Sequence, residues 1–112
     1  MKDKDLLVKA IDNYDPLTPA HRKVLKVLVD LAVDEVALIT VIKLCKISTL
    51  SRTLIYQALE VLEKQEFIEV IKTDKNVNKS KLNSITLRPD GLESIVKYYE
   101  LEQRASAKYT SE

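Results

Sequence analysis

The sequence predicts a small, mainly helical domain that carries one β-hairpin. Three observations point there. The stretch from Val36 to Phe67, VALITVIKLCKISTLSRTLIYQALEVLEKQEF, reads as two helices with a tight bend between them. Phe67–Ile71 and Leu82–Leu87 are β-like runs on either side of a polar stretch rich in lysine and asparagine. Thr18-Pro19 opens a helix with apolar residues nearly all round, as a central helix packed on two sides requires.

In chain order, Lys2 to about Tyr14 places Leu7, Ala10, Ile11 and Tyr14 on one helical stripe with Leu6 beside it. That segment is too short to persist alone in water, so it must dock on something. Asp15-Pro16 interrupts it. The helix from Thr18-Pro19 runs to about Val33 through Val24, Leu25, Val27, Leu28, Leu31 and Ala32, and Asp34-Glu35 breaks it. The first helix of the central pair covers roughly Leu38 to Cys45. The second starts within Ser48-Thr49-Leu50-Ser51, where a hydroxyl can accept a bond from an orphan N–H, and turns Ile55, Ala58, Leu59 and Leu62 inward. A long charged loop, Lys72 to Lys81, joins the two strands, the second with Asn83, Ile85 and Leu87 on one side. Arg88-Pro89-Asp90-Gly91 turns into a last helix to Lys108, with Leu92, Ile95, Val96 and Tyr99 as its inner stripe and a frayed tail from Tyr109.

Length and composition bound the function. At 112 residues, 46% hydrophobic and 31% charged, the chain is one domain that buries a sizeable core without staples. It has neither a bilayer-spanning apolar run nor a signal peptide, so the expected location is cytoplasmic and no membrane partner is expected. Cys45, the one cysteine, cannot form an internal disulfide and reads as a small core residue. His21 reads as a surface residue. One His, one Cys, one Gly and no phosphate-cradling loop leave no nucleophile–base pair, metal set or cofactor site to nominate, so an enzyme is the least supported class.

A net charge of only +1 conceals a polarised chain. Between Val36 and Leu59 there are three cations (Lys43, Lys46, Arg52) and no carboxylate; residues 70–88 carry Lys72, Lys75, Lys79, Lys81 and Arg88 against Asp74 alone. The rest of the chain is therefore net acidic, and such fields act locally because the Debye length is about 8 Å. Opposite its apolar stripe, the second helix of the pair offers Arg52, Thr53, Tyr56 and Gln57 in its first two turns. A helix-turn-helix that reads DNA meets base edges there, and Arg and Gln both make bidentate contacts in the major groove. The candidate DNA contacts are Lys43, Lys46, Ser48, Thr49 and Ser51 around the bend, Arg52, Thr53, Tyr56 and Gln57 on the helix, and Lys72, Lys75, Asn76, Asn78, Lys79 and Lys81 on the hairpin. The plain alternatives are that the lysines form a solubilising loop and that Tyr56 is a partly buried edge of the core. Glu60, Glu63 and Glu66 are expected to face away from DNA.

Helix, two-helix unit, strand, basic loop, strand, helix is the order of a winged helix-turn-helix. The stretches LTPAHRKVLKVL from Leu17, LSRTLIYQALEVLEKQEFIEV from Leu50 and ITLRPDGLESI from Ile85 resemble the landmark stretches of MarR-type winged-helix regulators, over roughly Leu17 to Tyr99. The resemblance implies a recognition helix in the major groove carrying Arg52, Thr53, Tyr56 and Gln57, and a wing carrying Lys75, Lys79 and Lys81 on the backbone or minor groove. It also implies a homodimer built by the terminal helices, with Leu6, Ile11, Tyr98, Leu101 and Ala105 at the contact. The chain departs from the family pattern where Gln65-Glu66 replaces the glycine that ends the recognition helix. It also departs in a longer bend before Arg52, and in a wing with lysines and asparagines where an arginine is common, which favours phosphate contact over shape readout.

The domain layout is then 1–15 for an N-terminal docking and dimerisation helix, 16–88 for the winged helix-turn-helix, and 89–112 for a C-terminal dimerisation helix. The expected function is sequence-specific double-stranded DNA binding, as a transcriptional regulator acting by site occupancy. Two alternatives remain: a single-stranded or replication-associated winged-helix DNA-binding protein, in which Tyr56 stacks bases, and a winged helix used purely for protein–protein interaction.

Overall fold

The computed structural model describes residues 3–110, with side chains up to residue 106. Five helices and three strands follow in the order α1 (Lys4–Asp12), α2 (Pro19–Leu31), β1 (Val36–Thr40), α3 (Val41–Ser48), α4 (Arg52–Lys64), β2 (Ile68–Val77), β3 (Ser80–Leu87) and α5 (Pro89–Thr110). This is a winged helix-turn-helix. Lys2 and the end of the expected frayed tail, 111–112, lie outside the described residues.

Four helices begin on an oxygen-bearing side chain that satisfies an orphan N–H: Asp3 accepts from Leu6 at 3.0 Å, Thr18 from His21 at 3.2 Å, Thr40 from Lys43 at 3.1 Å and Ser51 from Leu54 at 3.2 Å. Each such cap contributes about 1 kcal/mol. The core gathers around α2, whose Val24, Leu25 and Leu28 have no exposed surface. Leu7, Ala10 and Ile11 of α1 pack there, as do Ile55, Ala58 and Leu62 of α4, and Leu92 and Ile95 of α5 extend the same core against α1. The polar edge of α2 is tied to the N-terminal segment by Lys4–Asp30 at 3.1 Å and by Lys26–Asp12. Short α1 therefore persists because it is docked, not because it is intrinsically stable.

Several boundaries differ from the sequence expectation. Residues 38–40 are not helical: they belong to β1, an edge strand in which Ala37 and Ile39 are buried while Leu38 is 64% exposed. That alternation has period two, and pairing of Ala37 with Ile85 and of Ile39 with Asn83 completes a three-stranded antiparallel sheet in the order β1-β3-β2. α2 ends at Leu31, which is partly exposed, and Val33 pairs with Val36 across a two-residue turn at Asp34 and Glu35, both with positive φ (51° and 68°). His21 is half-buried at the surface, in the first turn of α2. The stretch 72–81 is not a long loop. Both strands continue to a two-residue turn at Asn78 (φ 49°) and Lys79 (φ 67°), the left-handed geometry that matches strand twist. A bulge between Lys72 and Asn76 is held by Thr73, whose hydroxyl donates to the Leu82 carbonyl at 2.8 Å and accepts from the Lys75 N–H at 3.1 Å.

At the end of α4 the chain reverses through Glu66, which takes the left-handed φ of 65° without the help of a glycine. The single glycine serves elsewhere. A Cβ on Gly91 would lie 2.1 Å from the Glu66 carbonyl oxygen, so the first turn of α5 seats directly on the α4–β2 turn. Gly91→Ala is expected to cost about 1–3 kcal/mol, because backbone on both sides must move, and urea unfolding will measure it. No described helix is long and apolar enough to cross a membrane.

Candidate nucleic-acid interface

The helix-turn-helix is positioned by its buried side. Leu44 of α3 and Ile55, Ala58 and Leu62 of α4 are inaccessible, which leaves Arg52, Thr53, Tyr56 and Gln57 exposed on the other side of α4. Between α3 and α4, Thr49 adopts a left-handed conformation (φ 58°, ψ 32°) and ends α3, and Ser51 starts α4 two residues later.

The hairpin folds back beside α4, and a cleft of about 500 Å³ separates them. Arg52, Tyr56, Glu60 and Glu63 line its helix side, and Lys72, Lys79 and Lys81 line its wing side. Buried Asn83, 4% exposed, is on the wall, and Leu59, Val41 and Ile42 contribute apolar surface. Two carboxylates share the cleft with four cations, contrary to the expectation that Glu60 and Glu63 face away. The spacing explains it: residues 52, 56, 60 and 63 follow one strip of a helix. Glu63 is engaged, its Oε2 accepting the Val70 N–H at 2.9 Å and so pinning α4 to β2. None of the four cations is in an ion pair among the described residues. Their positive charge is available to a ligand.

A second groove of about 430 Å³ lies on the other side of the hairpin tip and brings Lys43 and Lys46 of α3 beside Asn78. Its walls include Leu38, Ile42 and Val77, exposed by 64%, 40% and 47%. The two grooves share Ile42 and Ser80, so the α3, α4 and wing cations flank one projecting hairpin. Thr53 and Gln57 are exposed on α4 without lining either groove, and Lys75 and Asn76 are exposed at the bulge.

Some expected contacts are placed elsewhere. Ser48 is fully buried, its hydroxyl donating to the Leu44 carbonyl at 2.6 Å, so it cannot reach DNA. Ser51 remains exposed, but its hydroxyl caps α4. Thr49 accepts from Lys23 Nζ at 3.0 Å, which places an α2 lysine at the turn between α3 and α4. Nothing near Lys23 in the sequence signals this, because the contact joins residues 26 apart. Tyr56, 48% exposed, is not an edge of the core.

Of the expected dimer contacts, Ile11 is fully buried within one chain between α1 and its neighbours, and no partner can touch it. Tyr98 packs edge-on against Tyr14 with ring centroids 5.1 Å apart, and Tyr14 in turn meets Phe67 at 5.9 Å. A hydrogen bond to Glu102 raises the Tyr98 phenol above its ordinary pKa. Leu6 is half-buried, whereas Leu101 (62%) and Ala105 are exposed on the part of α5 beyond the core.

No protein-family model matches the chain, and no curated protein matches it in sequence. Solved structures do match in fold. The zinc-responsive MarR family member ZitR of Lactococcus lactis superposes with a TM-score of 0.52 at 16% identity, over 85% of this chain and 60% of its own length. A possible transcriptional regulator from Methanosarcina mazei gives 0.54 at 16% identity, over 97% of this chain and 88% of its own. TrmBL2, an archaeal chromatin protein described as having a novel mode of DNA binding, gives 0.56 at 18% identity over 97% of this chain and 38% of its own. The chain thus spans less than two-thirds of ZitR and well under half of TrmBL2. Such identities speak for architecture, and in architecture this chain is a winged helix-turn-helix of the kind found in MarR-type regulators.

Proposed function

We propose that this protein is a sequence-specific double-stranded DNA-binding transcriptional regulator of the cytoplasm that acts by occupying its site. The N-terminal half of α4 enters the major groove and the lysine-rich hairpin lies along the backbone. The observation that carries this reading is the cleft in which Arg52, with Tyr56 beside it, faces Lys72, Lys79 and Lys81, four exposed cations without an ion-pair partner among the described residues. Arg52 and Gln57 supply the base contacts, and the lysines supply sequence-independent attraction by counterion release.

The working unit in this reading is a homodimer. Residues 100–106 of α5 are all exposed, and the molecule measures 59 × 26 × 21 Å. A helix end whose side chains are exposed is marginal in water, and the Leu101/Ala105 strip is the surface a second copy covers. Sedimentation at micromolar concentration is expected to give the mass of two chains, and Leu101→Asp to give the mass of one with loss of helix confined to the end of α5. A single-chain mass for the unaltered protein rules the dimer out.

One observation favours a second reading. Tyr56 stands half-exposed beside the wing lysines, where it could stack bases of a single strand. Titration of duplex and single-stranded oligonucleotides at two salt concentrations separates the possibilities. Saturable, salt-sensitive duplex binding supports the first reading and single-strand preference the second. Binding to neither moves the function to protein–protein interaction.

A further inference from the structure

Glu60 is the anomaly of the cleft. It follows Arg52 and Tyr56 on the same strip of α4, about 12 Å along the axis from Arg52. Its neighbour Glu63 is tied to the Val70 N–H, but Glu60 is exposed and has no hydrogen bond or ion pair among the described residues. It caps nothing and pins nothing, so its charge does nothing evident for the fold. What that charge does is lower the attraction of a groove whose four cations, Arg52, Lys72, Lys79 and Lys81, otherwise suit a phosphate chain.

We propose that Glu60 is a specificity-determining residue of the cleft, acting by repelling phosphates in registers of DNA other than the one that base contacts hold. This rests on the duplex-binding reading above. Non-specific complexes are held by phosphates alone and slide through many registers, some of which bring a phosphate against Glu60. A site chosen through base contacts fixes one register, and the sites that survive selection are those that keep phosphates clear of the carboxylate. Discrimination then comes from weakening the wrong complexes as well as strengthening the right one.

The test uses the full-length protein and two duplexes, one selected from a random library by the unaltered protein and one of random sequence. Glu60→Gln is expected to raise affinity for random duplex by roughly fivefold, the scale of one like-charge contact in water, and to steepen its salt dependence by up to about 1 in the log–log slope. Affinity for the selected duplex rises less, so the ratio between the two falls. Glu60→Asp keeps the charge and should behave like the unaltered protein. Asp34→Asn, in the exposed turn between α2 and β1 and lining neither groove, makes the same change in net charge and should leave the ratio unchanged. Three outcomes overturn the inference while leaving duplex binding intact. These are unaltered random binding in Glu60→Gln, an equal shift in Asp34→Asn, or loss of selected-site affinity alone, which makes the carboxylate an acceptor for a base amine. If the unaltered protein binds no duplex at all, the functional reading itself has failed and the inference falls with it.

Discussion

Arg52→Ala is expected to weaken binding to the selected duplex by about 1–3 kcal/mol, roughly 5- to 150-fold, and to relax base preference at one position of the site. The expectation follows from position. Arg52 is the first residue of α4, directly after the Ser51 cap, on the end of the helix that a helix-turn-helix presents to base edges. It is exposed and bears no fold-supporting contact, so the thermal midpoint should not move. Repeating the selection with the variant gives a direct reading of which base was recognised. Equal losses on random and selected duplex would remove the base-reading role and leave Arg52 as one more phosphate contact.

Replacing Lys72, Lys79 and Lys81 together by Gln is expected to do the opposite. Affinity should fall about a hundredfold at 0.1 M salt, by the same factor on random and selected duplex, and the magnitude of the log–log salt slope should fall by about 3. All three side chains are exposed on the wing face of the cleft, and the hairpin that carries them is held by backbone pairing and by Thr73. The fold therefore has no stake in their charge. A loss confined to the selected duplex would mean that the wing reads sequence, and an unchanged salt slope would place the DNA away from the cleft altogether.

The two sets of residues are expected to act additively, because their work differs in kind: one orients and discriminates, the other attracts. Glu60 between them would make the attraction conditional. Its combination with the wing variant is informative, since removing the lysines should leave little non-specific binding for the carboxylate to suppress.

Much of this architecture is legible in the chain because it depends on local pattern. Ile55, Ala58, Leu59 and Leu62 recur at helical spacing and are all buried, and Thr18-Pro19 starts α2 where a cap followed by proline belongs. Where Gln65-Glu66 replaces a glycine the turn must be made by a residue with a Cβ, and Glu66 makes it with a positive φ. Misreadings occurred where local pattern was ambiguous. Val36–Thr40 is a short apolar run that suits a strand as well as a helix, and only pairing with β3 decides for the strand. The polar residues of 72–81 look like a loop, yet a projecting hairpin needs no buried face and can be polar on both sides.

The amino-acid order by itself determined which residues lie inward, where the helices begin, and that positive charge is concentrated in two separate stretches, because those properties arise from periodicity and from neighbours a few positions apart. Only the tertiary structure decided that the two stretches meet across a cleft, that Glu60 and Glu63 stand in it, that Lys23 reaches the turn at Thr49, and that Ser48 and Ile11 are sealed inside. Those outcomes depend on how the hairpin folds back beside α4 and how α1 docks on α2. Such packing is set by contacts between residues distant in the chain, whose combined energies no local window contains.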